Sequence, residues 1–340
     1  MTSQISIIVP CIKNSNLLNN SILEYLKVNN LKKIFIVIEE INEDLKLSNE
    51  KIDYILVKKN SNMSYKRNLA ARKADTDYLA FFDSDSFPKN YNLIETAEKI
   101  FKSDKNIYAI GGPDISPENQ TFYKRITGKL NKSYFISGFR NYRKNIFNSM
   151  YVKELCSCNL IVKRNVYLEM NGMDENIYSA EDTDFFNRII NKGKSLYYSS
   201  DLVAFHLDRN LKLYFIQRYV RGILTAESTF NFLKKKFTNK IISKGEYRYE
   251  YLLTPLLSIY IIFSTTLYFL FYKNFILFFP LVLFSFLVFV ESFRIKEKEN
   301  FIPIFFSLYL IVVMQSFSSL FAFLGLKLNI KKIYRNENDE

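Results

Sequence analysis

The stretch YLAFFDSDSFP, from Tyr78 to Pro88, decides the fold assignment, because a continuous apolar run ends in two aspartates separated by one serine. Such a run is typical of a strand in a parallel sheet that is covered on both faces. Asp83 and Asp85 would then follow the carboxyl end of the strand, where α/β sheets bind ligands. Two carboxylates placed there can share a hard cation with substrate oxygens. The same residues also fit a polar turn in which aspartates cap backbone groups.

Strands and helices alternate through the first part of the chain, which predicts an α/β fold with a mainly parallel sheet. No glycine-rich phosphate loop is present in the sequence, so a bound nucleotide would need other groups to neutralise its phosphates. Strands are predicted at Ile5–Pro10, Ile34–Ile38, Tyr54–Val57, Tyr78–Phe82 and Ile107–Ile110, and helices at Leu17–Val28, Ser64–Ala74 and Leu93–Phe101.

The last quarter of the chain predicts a membrane region. The runs Leu252–Tyr272, Phe275–Val290 and Phe301–Leu326 contain no charged residue. The first and third reach the roughly 20 residues that a helix needs to cross the hydrocarbon, whereas the second is shorter and contains Pro280. We predict two to three membrane segments within residues 251–327, at 252–272, 275–290 and 301–326, followed by a polar tail at 328–340.

An amphipathic helix is predicted at Leu211–Phe237, and the basic region 211–250 suits the cytosolic surface of a membrane. Ile5–Ile12 is too short for a secretory signal, so we predict a multi-pass protein of the plasma (inner) membrane with a cytosolic domain at 1–210. A third full crossing would leave the basic tail outside, against the usual preference for positive charge inside. The sequence therefore does not decide on which side of the membrane the C-terminus lies.

Two further clusters carry groups that do chemistry. The segment YSAEDTDFFNRIINKG begins with Glu181, Asp182 and Asp184 and continues with helical periodicity, so the acids also fit ordinary helix-dipole partners. His206, the only histidine, follows an apparent strand end, and next to Asp85 it would favour Mn²⁺ over Mg²⁺. Cys156 and Cys158 look like half of a zinc site, but one distant cysteine and one histidine do not complete four ligands.

The order of these motifs resembles glycosyltransferase family 2. The resemblance rests on SIIVP (6–10), KRNLAARKADTDYLAFFDSD (66–85), CNLIVKRNVYLEMNGMDENIYSAEDTDFFNRI (158–189) and FH (205–206). It implies a GT-A nucleotide-sugar fold and a hexosyltransferase-like enzyme that inverts the anomeric centre, assisted by Mn²⁺ or Mg²⁺. Glu39 and Glu40 stand where the family usually has an aspartate, and the tryptophan of its polymerising members is absent, which disfavours a polymerase.

The resemblance also implies roles for individual residues. Asp182 would be the general base, Asp85 and His206 would bind the metal, Asp83 would contact the ribose, and Arg67 would approach the diphosphate. The residues assigned to the donor are Pro10, Glu39, Glu40, Arg67, Asp83, Ser84 and Asp85, and those assigned to the acceptor side are Glu181, Cys158, Asn159, Gly111 and Gly112.

The acceptor is suggested by a basic segment. The chain has a formal charge of +13, and residues 119–153 hold eight Lys or Arg and no acid, with aromatic residues between them. Such a segment fits single-stranded nucleic acid, a solvated face, or membrane lipids and the phosphates of a lipid-linked glycan. The membrane runs favour the third reading and exclude nucleic acid as a partner.

We expect a nucleotide-sugar donor and a lipid-linked or cell-surface saccharide acceptor, as in polysaccharide biosynthesis at the cell envelope. The alternatives are a polyprenyl-phosphate acceptor and a non-catalytic module that binds a nucleotide or anionic lipid.

Overall fold

The structure, a computed structural model, describes residues 3–177, 181–237, 250–270 and 279–326. Contacts divide the chain into two compact units. Unit 1 comprises Met1–Pro117 and Tyr142–Leu207, and unit 2 comprises Glu118–Asn141 and Asp208–Glu340. The domain boundaries expected from the sequence, at 210, 250 and 327, stay predictions.

The elements follow each other in a mixed α/β order. The strands are β1 Ile5–Pro10, β2 Leu31–Ile38, β3 Ile52–Leu56, β4 Tyr78–Phe81, β5 Ser86–Pro88, β6 Ile107–Gly111, β7 Asp114–Ile115, β8 Met150–Val152, β9 Leu160–Lys163, β10 Ser195–Tyr198 and β11 Ala204–His206. The helices are α1 Asn16–Tyr25, α2 Met63–Lys73, α3 Leu93–Ser103, α4 Phe122–Asn131, α5 Tyr134–Ser137, α6 Arg164–Glu169, α7 Glu181–Asn191, α8 Leu211–Phe237, α9 Glu250–Leu270, α10 Phe279–Ile295 and α11 Phe301–Phe323, with 3₁₀ turns at Glu43–Leu45 and Gly138–Lys144.

Unit 1 is built on an eight-stranded sheet with the order β3-β2-β1-β4-β9-β6-β10-β8. The strand pairs β1/β2, β2/β3, β1/β4 and β6/β10 are parallel. Strand β9 runs antiparallel between β4 and β6, and β8 pairs antiparallel with β10 at one edge. The predicted α/β fold with a mainly parallel sheet is confirmed.

The sheet is buried on both faces, which explains the apolar runs of its strands. In β1, Ile5, Ile7 and Val9 belong to one apolar core, while Ile8 points into the core on the other face. Side chains start the flanking helices: Ser15 accepts a hydrogen bond from the Leu18 N–H at the start of α1, and Asn62 accepts one from the Tyr65 N–H at the start of α2.

A small second sheet, with the order β5-β11-β7, lies next to the end of β4 in the chain. Strand β11 pairs antiparallel with β5, so that His206 lies opposite Ser86, and parallel with β7, so that Ala204 lies opposite Asp114. This sheet therefore brings together three segments that are far apart in the sequence.

Unit 2 consists of helices α4, α5 and α8–α11, and α8 has the bounds predicted for it. Helices α8 and α11 approach closely at Gly222, where an added Cβ atom would lie 1.9 Å from Ser318 Oγ and 2.3 Å from the Gln315 carbonyl oxygen. Glycine at this position allows the two helices to pack.

Among the described residues, α11 is the one helix long and apolar enough to cross a membrane, and half of its most apolar window is buried by the protein itself. Length and composition of this kind also occur in buried helices of soluble proteins, so several membrane crossings and a cytosolic unit 1 stay predictions. The basic tail, on which the topology argument relied, lies outside the described residues.

Candidate active site

The turn that carries Asp83, Ser84 and Asp85 connects β4 with β5 and is fixed through its backbone. The Tyr25 hydroxyl donates to the Asp83 carbonyl at 3.0 Å, and the Ser21 hydroxyl donates to the Ser84 carbonyl at 3.1 Å. Within the described residues, neither aspartate carboxylate accepts a hydrogen bond from the backbone. The capping explanation for these aspartates is therefore not supported, and both carboxylates are available for other partners.

His206 lies beside this turn. Its Nε2 atom is 3.6 Å from Asp85 Oδ1, and the N–H of the next residue, Leu207, donates to the Asp85 carbonyl at 2.9 Å. The ligand atoms of His206, Asp83 and Cys158 also lie within 4.8 Å of one another. Carboxylate oxygens and an imidazole nitrogen are a donor set that fits a divalent cation such as Mn²⁺. The two residues predicted as metal ligands are thus neighbours, and the structure adds Asp83 and Cys158 to the group.

Arg67 connects this turn with helix α7. Its guanidinium is 3% exposed and donates to Asp83 Oδ1 at 3.1 Å and to Glu181 Oε1 at 2.8 Å. Burial alone would lower the pKa of Arg67, but the charges of Asp83, Glu181 and Asp182 outweigh it and raise the pKa. Arg67 is therefore a permanent cation between the predicted donor and acceptor sides.

Asp182 follows Glu181 in the first turn of α7. Its Oδ1 accepts a hydrogen bond from the Thr183 N–H at 2.8 Å, and its charge acts on both Arg67 and Arg143. The predicted base thus lies at the same cationic centre as the donor-side Asp83.

The loop before α7 is held by Asn68, a buried residue that the sequence reasoning did not single out. Its Nδ2 donates to the Met173 carbonyl at 2.8 Å, and its Oδ1 accepts from the Met173 N–H at 3.0 Å and from the Tyr167 hydroxyl at 2.7 Å. Gly172 has a φ of +64°, and a Cβ there would lie 2.2 Å from Asn68 Oδ1. Asn68 therefore fixes the turn at Gly172 and Met173.

The two glutamates after β2 differ in their surroundings. Glu39 pairs with the fully buried Lys66, whose Nζ also donates to the Cys11 carbonyl at 2.6 Å, just after Pro10 ends β1. Glu40 is exposed and lies 3.6 Å from Lys59. Only Glu39 is therefore part of the buried polar network at this end of the sheet. Lys66 is a second buried residue that sequence reasoning missed.

Three of the five predicted acceptor-side residues, Asn159, Gly111 and Gly112, lie together at the end of β6. Asn159 Nδ2 donates to the carbonyls of Pro113 and Leu202, and Gly111 and Gly112 let these backbones approach. A Cβ on Gly112 would lie 2.0 Å from the Leu202 carbonyl oxygen. Asn159, Gly111 and Gly112 therefore allow the backbones of the segments after β6 and around Leu202 to pack closely.

Three charged residues near the site were not predicted as part of it: Asp114, Arg143 and Lys144. Asp114 pairs with Lys144, and its pKa is lowered: burial would raise it, but Lys144, Arg143 and His206 outweigh burial. For Arg143 the directions are reversed: burial alone would lower its pKa, but the charges of Cys156, Asp114 and Asp182 outweigh burial and raise the pKa. The position of Asp114 a few residues after the end of β6 was a signal that could have identified it.

Comparisons with known proteins concern the family and the fold. Residues 6–168 match the family model described as Glycosyl transferase family 2. The fold is similar to that of the mannosyltransferase PcManGT from Pyrobaculum calidifontis, solved in complex with GDP-Man and Mn²⁺, with 13% identity and a TM-score of 0.60 over 94% of this chain and 88% of that chain. GalNAc-T7, solved with UDP, GalNAc and Mn²⁺, matches at 12% identity and a TM-score of 0.46 over 61% of this chain, and this chain covers 44% of it. No curated protein sequence matches the chain.

Proposed function

Because the chain belongs to glycosyl transferase family 2, we propose that it transfers a sugar from a nucleotide-diphosphate donor to a saccharide hydroxyl, with inversion at the anomeric carbon. The GT-A fold and the family make the protein a glycosyltransferase. The donor, acceptor and individual residue roles are our proposal.

The observation that carries the proposal is the position of Arg67. It joins Asp83, at the end of β4, to Glu181, in the first turn of α7. The helix that carries the proposed base is thereby tied to the strand end that carries the proposed donor ligands. A general base and a leaving-group site have to lie together for transfer to occur.

On the donor side, Asp83, Asp85 and His206 would hold a divalent cation, and the structures of PcManGT and GalNAc-T7 both include Mn²⁺. A bound cation supplies charge that stabilises a leaving diphosphate. Asp83 is also available to the ribose, while Glu39, held by Lys66, offers a carboxylate oxygen to the nucleobase. The Ser84 carbonyl accepts a hydrogen bond from the Ser21 hydroxyl, and Pro10 ends β1.

On the acceptor side, Asp182 accepts the proton of the attacking hydroxyl. A sugar hydroxyl is far from ionised at neutral pH, and a positioned base contributes about 10²–10⁴-fold to such a reaction. Arg67 and Arg143 carry positive charge that interacts with the Asp182 carboxylate. A phosphate acceptor is already ionised and would not need this base, which favours a saccharide over a polyprenyl phosphate.

Unit 2 supports an acceptor at the membrane. Large apolar side chains are exposed on all three of its C-terminal helices, a pattern that marks a contact with lipid or protein. Examples are Phe263 on α9, Phe286 on α10 and Phe306 on α11, each more than half exposed. A lipid-linked or surface glycan, presented at the cytosolic face, is the acceptor that such a surface would keep close.

The test is a screen of nucleotide-sugars for turnover by the full-length protein in detergent, with Mn²⁺, with Mg²⁺ and with a chelator. The proposal expects one donor to be consumed only when a divalent cation is present. Asp182→Asn, which retains the size of the side chain, should keep donor binding and lose turnover. Metal-independent binding without turnover of any donor would favour a non-catalytic module instead.

A further inference from the structure

A cluster of sulfur and oxygen donors lies at the start of β7 and on the loop that precedes β9. It consists of Asp114, Cys156 and Cys158, whose ligand atoms all lie within 4.8 Å of one another. The two Sγ atoms are 2.8 Å apart, and Cys158 Sγ is 3.5 Å from Asp114 Oδ2. The sequence argument against zinc counted cysteines and histidines only, and so left out the carboxylate that the fold adds.

Asp114 shows an unsatisfied binding capacity. The residue is 2% exposed, and its Oδ2 pairs with Lys144. Its Oδ1 is buried and accepts no hydrogen bond from any residue that the structure describes. A buried oxygen left without a partner costs free energy, and a bound cation would remove that cost.

We propose that Cys156, Cys158 and Asp114 form a binding site for a thiophilic divalent cation such as Zn²⁺. Two sulfur ligands select zinc over the hard cations Mg²⁺ and Mn²⁺. Zinc sites usually have four ligands. His206 can supply the fourth, since its ligand atom lies within 4.8 Å of that of Cys158.

The charges around the cluster fit a divalent cation. Two thiolates and one carboxylate would carry more negative charge than Lys144 and Arg143 offset, and the cation compensates the remainder. Lys144 pairs with Asp114, and the charge of Arg143 interacts with Cys156 and Asp114.

The site has a consequence for transfer, and this step rests on the proposed function. His206 lies beside Asp85 and also beside Cys158. A zinc ion that recruits His206 would withdraw it from the donor-side cation. Zinc should therefore inhibit the transferase by occupying a site that takes His206 from the donor side.

Binding is tested on reduced full-length protein in detergent, with Cd²⁺ as a spectroscopic probe, because cadmium–thiolate bonds absorb in the near ultraviolet. We expect one equivalent of Cd²⁺ to produce this absorption and Zn²⁺ to displace it. Cys156→Ser and Asp114→Asn should each weaken binding by at least about tenfold. Cys11→Ala changes a cysteine outside the cluster and should bind like the wild type.

The absorption does not depend on activity, so this test of the metal site is independent of the proposed function. Thermal unfolding of each variant shows whether lost binding reflects a lost fold. Reduced protein that takes up no Cd²⁺, or Cys156→Ser protein that binds as tightly as the wild type, overturns the site. If the cysteine pair had formed a disulfide, and the protein still bound no Cd²⁺ after that disulfide was reduced, the site would also be overturned. With an active donor in hand, equal Zn²⁺ inhibition of wild type and Cys156→Ser would overturn the link to transfer.

Discussion

His206 Nε2 lies 3.6 Å from Asp85 Oδ1, although the two residues belong to segments far apart in the chain. The pairing of β11 with β5 produces this proximity, because it places His206 opposite Ser86, the residue after Asp85. A shift of the register by one residue would turn the imidazole to the other face of the small sheet. The donor side of the candidate site therefore depends on this strand pairing.

Asp85→Asn should weaken the binding of Mn²⁺ by more than about tenfold, because it removes a charged ligand from the proposed set. The weaker cation site should raise the KM for the donor more than it lowers kcat. Electron paramagnetic resonance of free Mn²⁺ measures the binding directly. Asp44→Asn, at an exposed acid in a 3₁₀ turn, is the matched control. Unchanged Mn²⁺ affinity in Asp85→Asn would place the cation elsewhere.

Asp182→Asn should lower kcat by about 10²–10⁴-fold, since the variant loses the base and retains the side-chain size. Donor affinity, measured by calorimetry, should change little. Asp184→Asn is a control on the same helix, because Asp184 pairs with Arg188 at 2.8 Å and has no proposed part in the reaction. If Asp184→Asn lost as much activity as Asp182→Asn, the assignment of the base would be wrong.

Arg67→Met should destabilise unit 1, because Asp83 and Glu181 would lose their common partner. Breaking a fully buried ion pair costs about 3–5 kcal/mol, and the partial exposure of Asp83 reduces the expected loss to about 2–3 kcal/mol. Arg72→Met is the control, since Arg72 is exposed and lies 3.7 Å from Glu175. Such a surface pair contributes about 0–1 kcal/mol. Equal losses in the two variants, measured by denaturant unfolding, would contradict the role of Arg67 as the bridge.

Stability should also depend on pH through Glu297, which pairs with Lys129 and Lys132 in unit 2. Burial would raise the pKa of Glu297, but the two lysines outweigh it, and the pKa is lowered. A lowered pKa gives stabilisation above the unfolded-state pKa, about 4.3, and this is lost as the pH falls through the folded-state value. The wild type should therefore unfold at a higher temperature than Glu297→Gln at neutral pH, and the difference should vanish in acid. If the difference in unfolding temperature persisted at the lowest pH, it would come from packing of the Glu297 side chain and not from its charge.

Five strands of unit 1, β1, β2, β3, β4 and β6, were predictable from the sequence, because each contains an apolar run. The bounds of β1 agree with the prediction, and those of β2, β3, β4 and β6 differ by only a few residues. Strand β9 was not predicted. Its insertion between β4 and β6 depends on pairing between distant segments, which local periodicity does not reveal.

The candidate site was predictable where a functional group lies at a strand end: Asp83 and Asp85 follow β4, and His206 is the last residue of β11. It was not predictable where the partner comes from elsewhere in the chain. Lys144 belongs to the basic segment interpreted as facing lipid, yet it pairs with Asp114, and Arg125 of the same segment pairs with Glu299. Charge along a sequence shows how many cations a segment has, but only the fold shows which acids neutralise them.

The central proposal is that the donor ligands and the catalytic base meet around Arg67. Its most direct test is a crystal structure with Mn²⁺ and a nucleoside diphosphate, with the cation located by its anomalous scattering. The account predicts an anomalous peak within bonding distance of Asp85 and His206, with the Asp182 carboxylate facing the open side of the diphosphate. A peak away from both residues, or an Asp182 side chain turned away from the nucleotide, would contradict it.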